Sequence, residues 1–179
     1  MKKISNNYKL LDLFAGCGGL STGFEMSGYK IALAVEKDEW AAETYSFNHP
    51  DTKVITKDIR KIRKIKALLP KQKNVDGIIG GPPCQGFSLS GKRDKNDPRN
   101  SLFMDFVRFV TELQPSFFVM ENVPGILSMK TVKGELVRKV ILDEYNKAGY
   151  NATFKILNAA EFGVPQTRTR VIFIGIRIF

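Results

Sequence analysis

Seven short apolar runs alternate with amphipathic segments along this 179-residue sequence, and that alternation limits the fold more than any other feature. The runs are 9–14, 31–35, 53–55, 76–79, 117–120, 153–157 and 171–176. Helix-like segments at 22–27, 39–47, 57–73 and 102–113 separate the first five, and another at 132–148 ends at Gly149, a helix-stopping residue. Strands that are apolar throughout, rather than at every second position, are buried on both faces, as in a parallel sheet covered by helices. The sequence therefore predicts one α/β domain over residues 1–179, with a seven-stranded, mostly parallel sheet and helices on both faces. The length suits one domain of roughly 150 residues. No run approaches the ~18 apolar residues of a membrane span, and the start MKKISNNYKL lacks a signal-peptide core. Cys17 and Cys84 have no C-x-x-C neighbour, which argues against a disulfide scaffold or a zinc site and predicts no metal. The chain reads as cytosolic.

Charge narrows the class of partner. Twenty-eight Lys and Arg against 18 Asp and Glu leave a formal +10, which suits a polyanion because each phosphate contact releases counterions. Eight of the basic residues fall between Lys57 and Lys73 (Lys57, Arg60, Lys61, Arg63, Lys64, Lys66, Lys71, Lys73), with one acid, Asp58. Ile59, Ile62, Ile65 and Leu69 within that stretch predict an amphipathic helix whose basic face is solvated rather than a dedicated DNA stripe.

In open parallel sheets ligands bind where the loops leave the carboxyl ends of the strands. The loop after the first run reads Asp12-Leu13-Phe14-Ala15-Gly16-Cys17-Gly18-Gly19-Leu20-Ser21; its glycines suit a tight turn that approaches a ligand closely. Cys17 reads as small packing inside that turn. Glu36, 20 residues after Gly16, ends the second run, where a carboxylate accepts hydrogen bonds from both hydroxyls of a ribose. Asp58 follows the third run and could receive the exocyclic amine of an adenine. The first loop has no basic residue for a pyrophosphate, which disfavours NAD and ATP and favours another adenosine-containing cofactor. After the fourth run, Gly80-Gly81-Pro82-Pro83-Cys84-Gln85-Gly86-Phe87-Ser88 places a cysteine on a proline-stiffened loop, the setting of a nucleophile rather than of a core filler. After the fifth run, Glu121 opens Glu121-Asn122-Val123-Pro124-Gly125; against apolar walls its pKa would be raised and it could donate a proton. Gly163-Val164-Pro165-Gln166-Thr167-Arg168-Thr169-Arg170 carries two guanidinium groups at alternate positions, which on a strand point the same way.

DLFAGCGGLSTGFE, GGPPCQGFS, ENVPG and GVPQTRTR resemble, in order, the motifs of the cytosine-C5 DNA methyltransferases, from about Tyr8 to the end of the sequence. The resemblance implies a Rossmann-like S-adenosylmethionine-dependent methyltransferase fold whose sixth and seventh strands form an antiparallel pair. It implies S-adenosylmethionine as cofactor, with S-adenosylhomocysteine as product, contacted by Phe14, Gly16, Gly18, Glu36, Asp58, Ile59, Pro83 and Leu102. It makes Cys84 the nucleophile at cytosine C6, Glu121 the acid at N3 and Arg170 the partner of O2, with Arg168 beside it. The polar segment 90–99 resembles the family's mobile loop over DNA. The substrate implied is duplex DNA with the cytosine flipped out, in the bacterial cytoplasm and within a restriction-modification system.

Two departures stand out. Where the family often has a large apolar side chain on adenine, this sequence has Lys37, and Trp40 three positions on reads as packing for its own helix. The family's target-recognition domain and return helix have no counterpart before Phe179. The expectation is a catalytic lobe that needs a complementary segment or subunit, with an apolar patch left open near Gly16 and the first strand. A tRNA cytosine-C5 methyltransferase and an inactive fragment that binds a cofactor or partner remain as alternatives.

Overall fold

The computed structural model describes residues 8–69, 75–83, 102–131 and 134–178. Its seven strands are β1 (Lys9–Leu13), β2 (Lys30–Glu36), β3 (Lys53–Thr56), β4 (Gly77–Gly80), β5 (Phe117–Asn122), β6 (Tyr150–Asn158) and β7 (Thr169–Arg177). Four helices are described: α1 (Gly19–Met26), α2 (Glu39–Asn48), α3 (Leu102–Leu113) and α4 (Val137–Lys147). The strands lie in the order β3-β2-β1-β4-β5-β7-β6. The first five are mutually parallel, and β7 runs antiparallel to both β5 and β6. The seven-stranded, mostly parallel α/β sheet expected from the sequence is the fold observed.

Alternate residues of the central strands face opposite layers. Leu11, Leu13, Leu33, Ile78, Phe118 and Met120 pack with Phe103, Phe106, Phe109 and Val110 of α3 and Ile141 and Tyr145 of α4. Leu10, Ile31 and Ile79 face the other way, against Leu20 and Phe24 of α1. Each fully buried aliphatic or aromatic side chain contributes about 1.5–3 kcal/mol of transfer free energy, so the β1–β4 centre is the most heavily stabilised part of the sheet. No helix among the described residues is long and apolar enough to cross a membrane.

Three local expectations need correction. The basic stretch 57–73 is not a helix where it is described: Ile59–Lys61 and Ile65–Leu68 are short 3-10 turns, and Ile62 between them is extended (φ −87°, ψ 103°). Ile59, Ile62 and Ile65 recur every third residue, and all three are buried. A three-residue spacing suits 3-10 turns, in which i and i+3 eclipse, as well as one face of a short α-helix. The helix expected over 132–148 begins at Val137, because Gly134 (φ 86°) sits in a turn closed by a Thr131–Glu135 backbone bond. Helix α1 starts three residues before the expected 22–27, at Gly19.

One polar chain is sealed inside the core. The Ser21 hydroxyl donates to Asp12 Oδ2 at 2.6 Å and lies 2.7 Å from the Tyr45 hydroxyl. Asp12 is fully buried, and its Oδ1 has no partner. Desolvation, with Glu36 nearby, raises the Asp12 pKa from 3.8 to about 7 even though the Ser21 hydrogen bond opposes the rise. Between these values the folded chain holds a proton that the unfolded chain has released. Stability from this group is therefore complete below about pH 4 and lost as pH rises through 7. Urea midpoints measured from pH 5 to 8 should fall more steeply for the wild type than for Asp12→Asn. Parallel curves would mean that Asp12 ionises freely.

Candidate active site

Strand order reverses between β1 and β4, where a parallel sheet opens a crevice beyond its carboxyl ends. A cleft of about 240 Å³ lies there, lined by Phe14, Glu36, Asp58, Ile59, Pro83 and Leu102 together with Lys37, Lys57, Arg60 and Gly81. Six of the eight residues expected at a cofactor thus line one cavity, although they come from five separate parts of the chain. Gly16 and Gly18 shape the adjoining turn rather than line the cleft.

That turn is built from unusual backbone. Phe14 (φ 57°), Gly16 (φ 54°) and Gly18 (φ 92°) are all left-handed, which turns the chain sharply from β1 into α1. The two glycines differ in what surrounds them. A Cβ on Gly16 would meet nothing within 4 Å, whereas one on Gly18 would lie 2.2 Å from His49 Nε2. His49, buried at the end of α2, hydrogen-bonds through Nε2 to the Gly18 carbonyl (3.1 Å) and through Nδ1 to Glu25 of α1 (2.8 Å). It thus joins the turn, α1 and α2; its being the sole histidine was the only sequence hint. Gly16→Ala should cost only the left-handed penalty of about 1–2 kcal/mol. Gly18→Ala should cost at least ~2 kcal/mol more, because His49 must move as well. Denaturant midpoints check this, and equal losses for the two variants would be the wrong outcome.

Glu36 anchors the turn and faces the cleft. Its Oε2 accepts the Gly16 N–H at 2.8 Å, and its Oε1 accepts those of Lys37 and Asp38 at 2.8 and 2.9 Å. Three of a carboxylate's roughly four acceptor positions are filled, leaving room for a hydroxyl donor. Asp58 is more fully engaged. Arg60 grips it through Nε (3.0 and 3.1 Å) and Nη2 (2.6 Å), and its own backbone N–H adds a bond at 2.9 Å. The Arg60 side-chain bonds, ahead of the opposing desolvation, lower the Asp58 pKa to about 2. An adenine amine would therefore share Asp58 with Arg60, a partner that sequence reasoning did not foresee.

Glu121 lies half-buried near the end of β5. Where apolar walls were expected, a cation is found: its Oε1 lies 2.8 Å from Arg170 Nε on the neighbouring β7. A Cβ on Gly81 would lie 3.3 Å from Glu121 Oε2, so the carboxylate abuts a residue that lines the cleft. Asn122, buried beside it, donates through Nδ2 to the Pro82 carbonyl at 3.0 Å and accepts the Val123 N–H through Oδ1. It binds the β5 loop to the proline loop; an amide next to a candidate catalytic carboxylate was the signal for that role. Arg168 is not brought to this pair. It precedes β7, is exposed, and bonds through its backbone to Asn158 and Ala159, so strand alternation does not align it with Arg170.

Cys84 and the 90–99 loop lie outside the described residues. Two packing expectations are corrected. Cys17 is exposed rather than packed, and its carbonyl accepts from the exposed Asn48 side chain at 3.1 Å. Trp40 is 80% exposed near the start of α2, whose inward face is carried by Ala42 and Tyr45, and it does not line the cleft. The space above Gly16 is open, but β1 is covered; the exposed apolar residues include Ile174, Ile176 and Ile178 at the chain's end instead. No cluster of His, Cys, Asp or Glu suited to a metal occurs among the described residues.

The cleft fits an adenosine moiety in kind: apolar walls at Phe14, Ile59, Pro83 and Leu102 for a flat base, and Glu36 for a ribose. Comparison with known proteins points the same way. The model of the C-5 cytosine-specific DNA methylase family matches residues 8–178. The type II methyltransferase M.DdeI of Desulfomicrobium norvegicum is 59% identical over 94% of this chain and 40% of its own length. M.AquIA of Picosynechococcus is 41% identical over 95% of this chain and 72% of its own. A solved prophage-encoded DNA modification methyltransferase from E. coli superposes with a TM-score of 0.82 at 38% identity, covering 96% of this chain and 47% of that one. The chain spans less than half the length of M.DdeI and of M.FnuDI of Fusobacterium nucleatum, of which it covers 47%.

Proposed function

Since the chain belongs to the C-5 cytosine-specific DNA methylase family, we propose that it is the catalytic lobe that transfers a methyl group from S-adenosylmethionine to C5 of a flipped cytosine in duplex DNA. The observation that carries this reading is the juxtaposition at Gly81. On one side lies the cleft with Phe14, Glu36, Ile59, Pro83 and Leu102, and on the other the Glu121–Arg170 pair. S-adenosylmethionine, when bound, supplies the electrophilic methyl group. Glu36 and Asp58 would hold its ribose and adenine ends, while Gly16 leaves open space beside the turn and Gly18 makes room for His49.

The remaining groups act on the base. The Cys84 thiolate adds to C6, which makes C5 nucleophilic; a serine there would need a base to activate it. Arg170 contacts O2, and its link to Glu121 holds both groups at the edge of one base. Cytosine must therefore enter by sharing or parting that ion pair, which lets Glu121 take up a proton from solvent and pass it to N3, so negative charge does not build up on the ring. Once C5 carries the methyl group, water takes the C5 proton. The C5–C6 double bond then re-forms and expels the Cys84 thiolate, and N3 returns its proton to Glu121. Asn122 keeps the loop leading to Cys84 in register with Glu121 through Pro82.

Sequence selection is proposed to reside in the part of the relatives that this chain does not cover, as a further segment or a second subunit. Phosphate contacts from a +10 chain attract DNA but do not choose a site. The test is transfer of a labelled methyl group from S-adenosylmethionine, with this chain alone and with the uncovered part of a relative such as M.DdeI supplied as a second polypeptide. Transfer to duplex DNA by the pair supports the reading. Transfer to tRNA alone, or none with either acceptor, overturns it.

A further inference from the structure

The wall of the cleft formed by Asp58, Ile59 and Arg60 belongs to no regular element. It is a single 3-10 turn, Ile59–Lys61, followed by extended backbone at Ile62. Ile59 and Ile62 anchor the segment in the core by their side chains, but such a turn leaves carbonyl groups without helix or strand partners. One side chain takes up two of them. Arg108, on α3, donates from Nη1 to the Ile62 carbonyl at 2.8 Å and from Nη2 to the Ile59 carbonyl at 2.9 Å. The same Nη2 lies 2.9 Å from Asp105 Oδ1 one turn earlier on α3, and the guanidinium stacks 5.2 Å from the centre of the buried Phe109 ring. Helix α3 begins at Leu102, which lines the cleft, as does Ile59. The guanidinium thus links two residues of the cleft lining through α3, which runs unbroken from Leu102 past Arg108.

We propose that Arg108 is a positioning residue that fixes the width of the cleft and so sets its affinity for the adenosine end of the cofactor, without touching the cofactor itself. This rests on the reading of the cleft as the S-adenosylmethionine site. The choice of arginine has a physical reason. Its planar fork presents several N–H groups at fixed angles, so one side chain satisfies two carbonyls and a carboxylate at once. A lysine ammonium is a strongly hydrated point charge and cannot span the two carbonyls in the same way. Asp105 keeps the fork oriented. Removing it should weaken the arrangement less than removing Arg108, because both carbonyl bonds survive.

The test uses this chain with S-adenosylhomocysteine as the probe, measured by titration calorimetry, together with hydrogen exchange of the 58–62 backbone. Arg108→Ala should weaken binding about tenfold and speed exchange in 58–62, while exchange in β1 and β4 stays as in the wild type. Arg108→Lys should recover only part of the affinity, and Asp105→Asn should lose about threefold. Millimolar guanidinium ion should restore binding to Arg108→Ala and leave the wild type unchanged, which a general loss of stability would not produce. If Arg108→Ala does not fold, Arg108→Lys and Asp105→Asn carry the test. Wild-type affinity in the folded Arg108 variants, or exchange that rises uniformly across the sheet, overturns the assignment of Arg108 alone. Failure of the wild-type chain to bind the probe overturns the reading of the cleft itself and this inference with it.

Discussion

Cys84→Ala is expected to abolish methyl transfer by the completed enzyme while cofactor affinity stays within about twofold of the wild type. The reason is the separation of tasks along the chain. The residues assigned to the cofactor, from Phe14 to Leu102, line a cleft that does not require the thiol, whereas the proposed addition to C6 depends on it directly. A duplex carrying 5-fluorocytosine at the target should trap the wild-type enzyme covalently, since fluorine cannot leave as the proton does. A denaturing gel would show the adduct with Cys84 present and none with alanine. Turnover on the fluorinated duplex without any adduct would sink the covalent step, and with it the role given to Cys84.

Glu121→Gln is expected to slow the chemical step by roughly 10²–10⁴-fold, the range for losing a positioned proton donor. Glutamine keeps the size of the side chain and one acceptor oxygen for Arg170, so the β5–β7 junction should remain in place. Binding of DNA and of the cofactor should therefore change little. Single-turnover rates measured with saturating cofactor separate the chemical step from binding. Rates within threefold of the wild type would leave Glu121 as no more than the anchor of Arg170.

How far the sequence alone reaches is clearest at particular residues. The strands announced themselves because parallel strands buried on both faces must be apolar along their length; six of the seven expected runs match observed strands to within two residues. The exception is β6, which begins three residues before the expected run. Strand β6 carries few buried residues along its length, so burial left little trace in its sequence there. Glu36 and Asp58 were legible by their chemistry, the other cleft residues only through the family resemblance. Phe14, Glu36, Asp58, Ile59, Pro83 and Leu102 were chosen from motif positions and come together in one cleft.

What the sequence did not disclose is mostly a matter of partners. Hydrophobic period could not separate a 3-10 turn from a helix over Ile59–Leu68, since both bury every third residue for a short span. Nor could it show that Arg60 would hold Asp58, that Arg170 would face Glu121, or that Arg108 would reach Ile59 and Ile62 across 46 to 49 positions. An arginine beside a carboxylate in sequence is free to point elsewhere, and one far away in sequence gives no local signal. Residue type and spacing therefore determined the sheet and the glycine turn, because those depend on local sterics and on burial that each segment carries with it. Tertiary structure decided which cation meets which anion and where Trp40 and Cys17 face. Those outcomes depend on distances between segments that only the packed sheet brings within hydrogen-bond range.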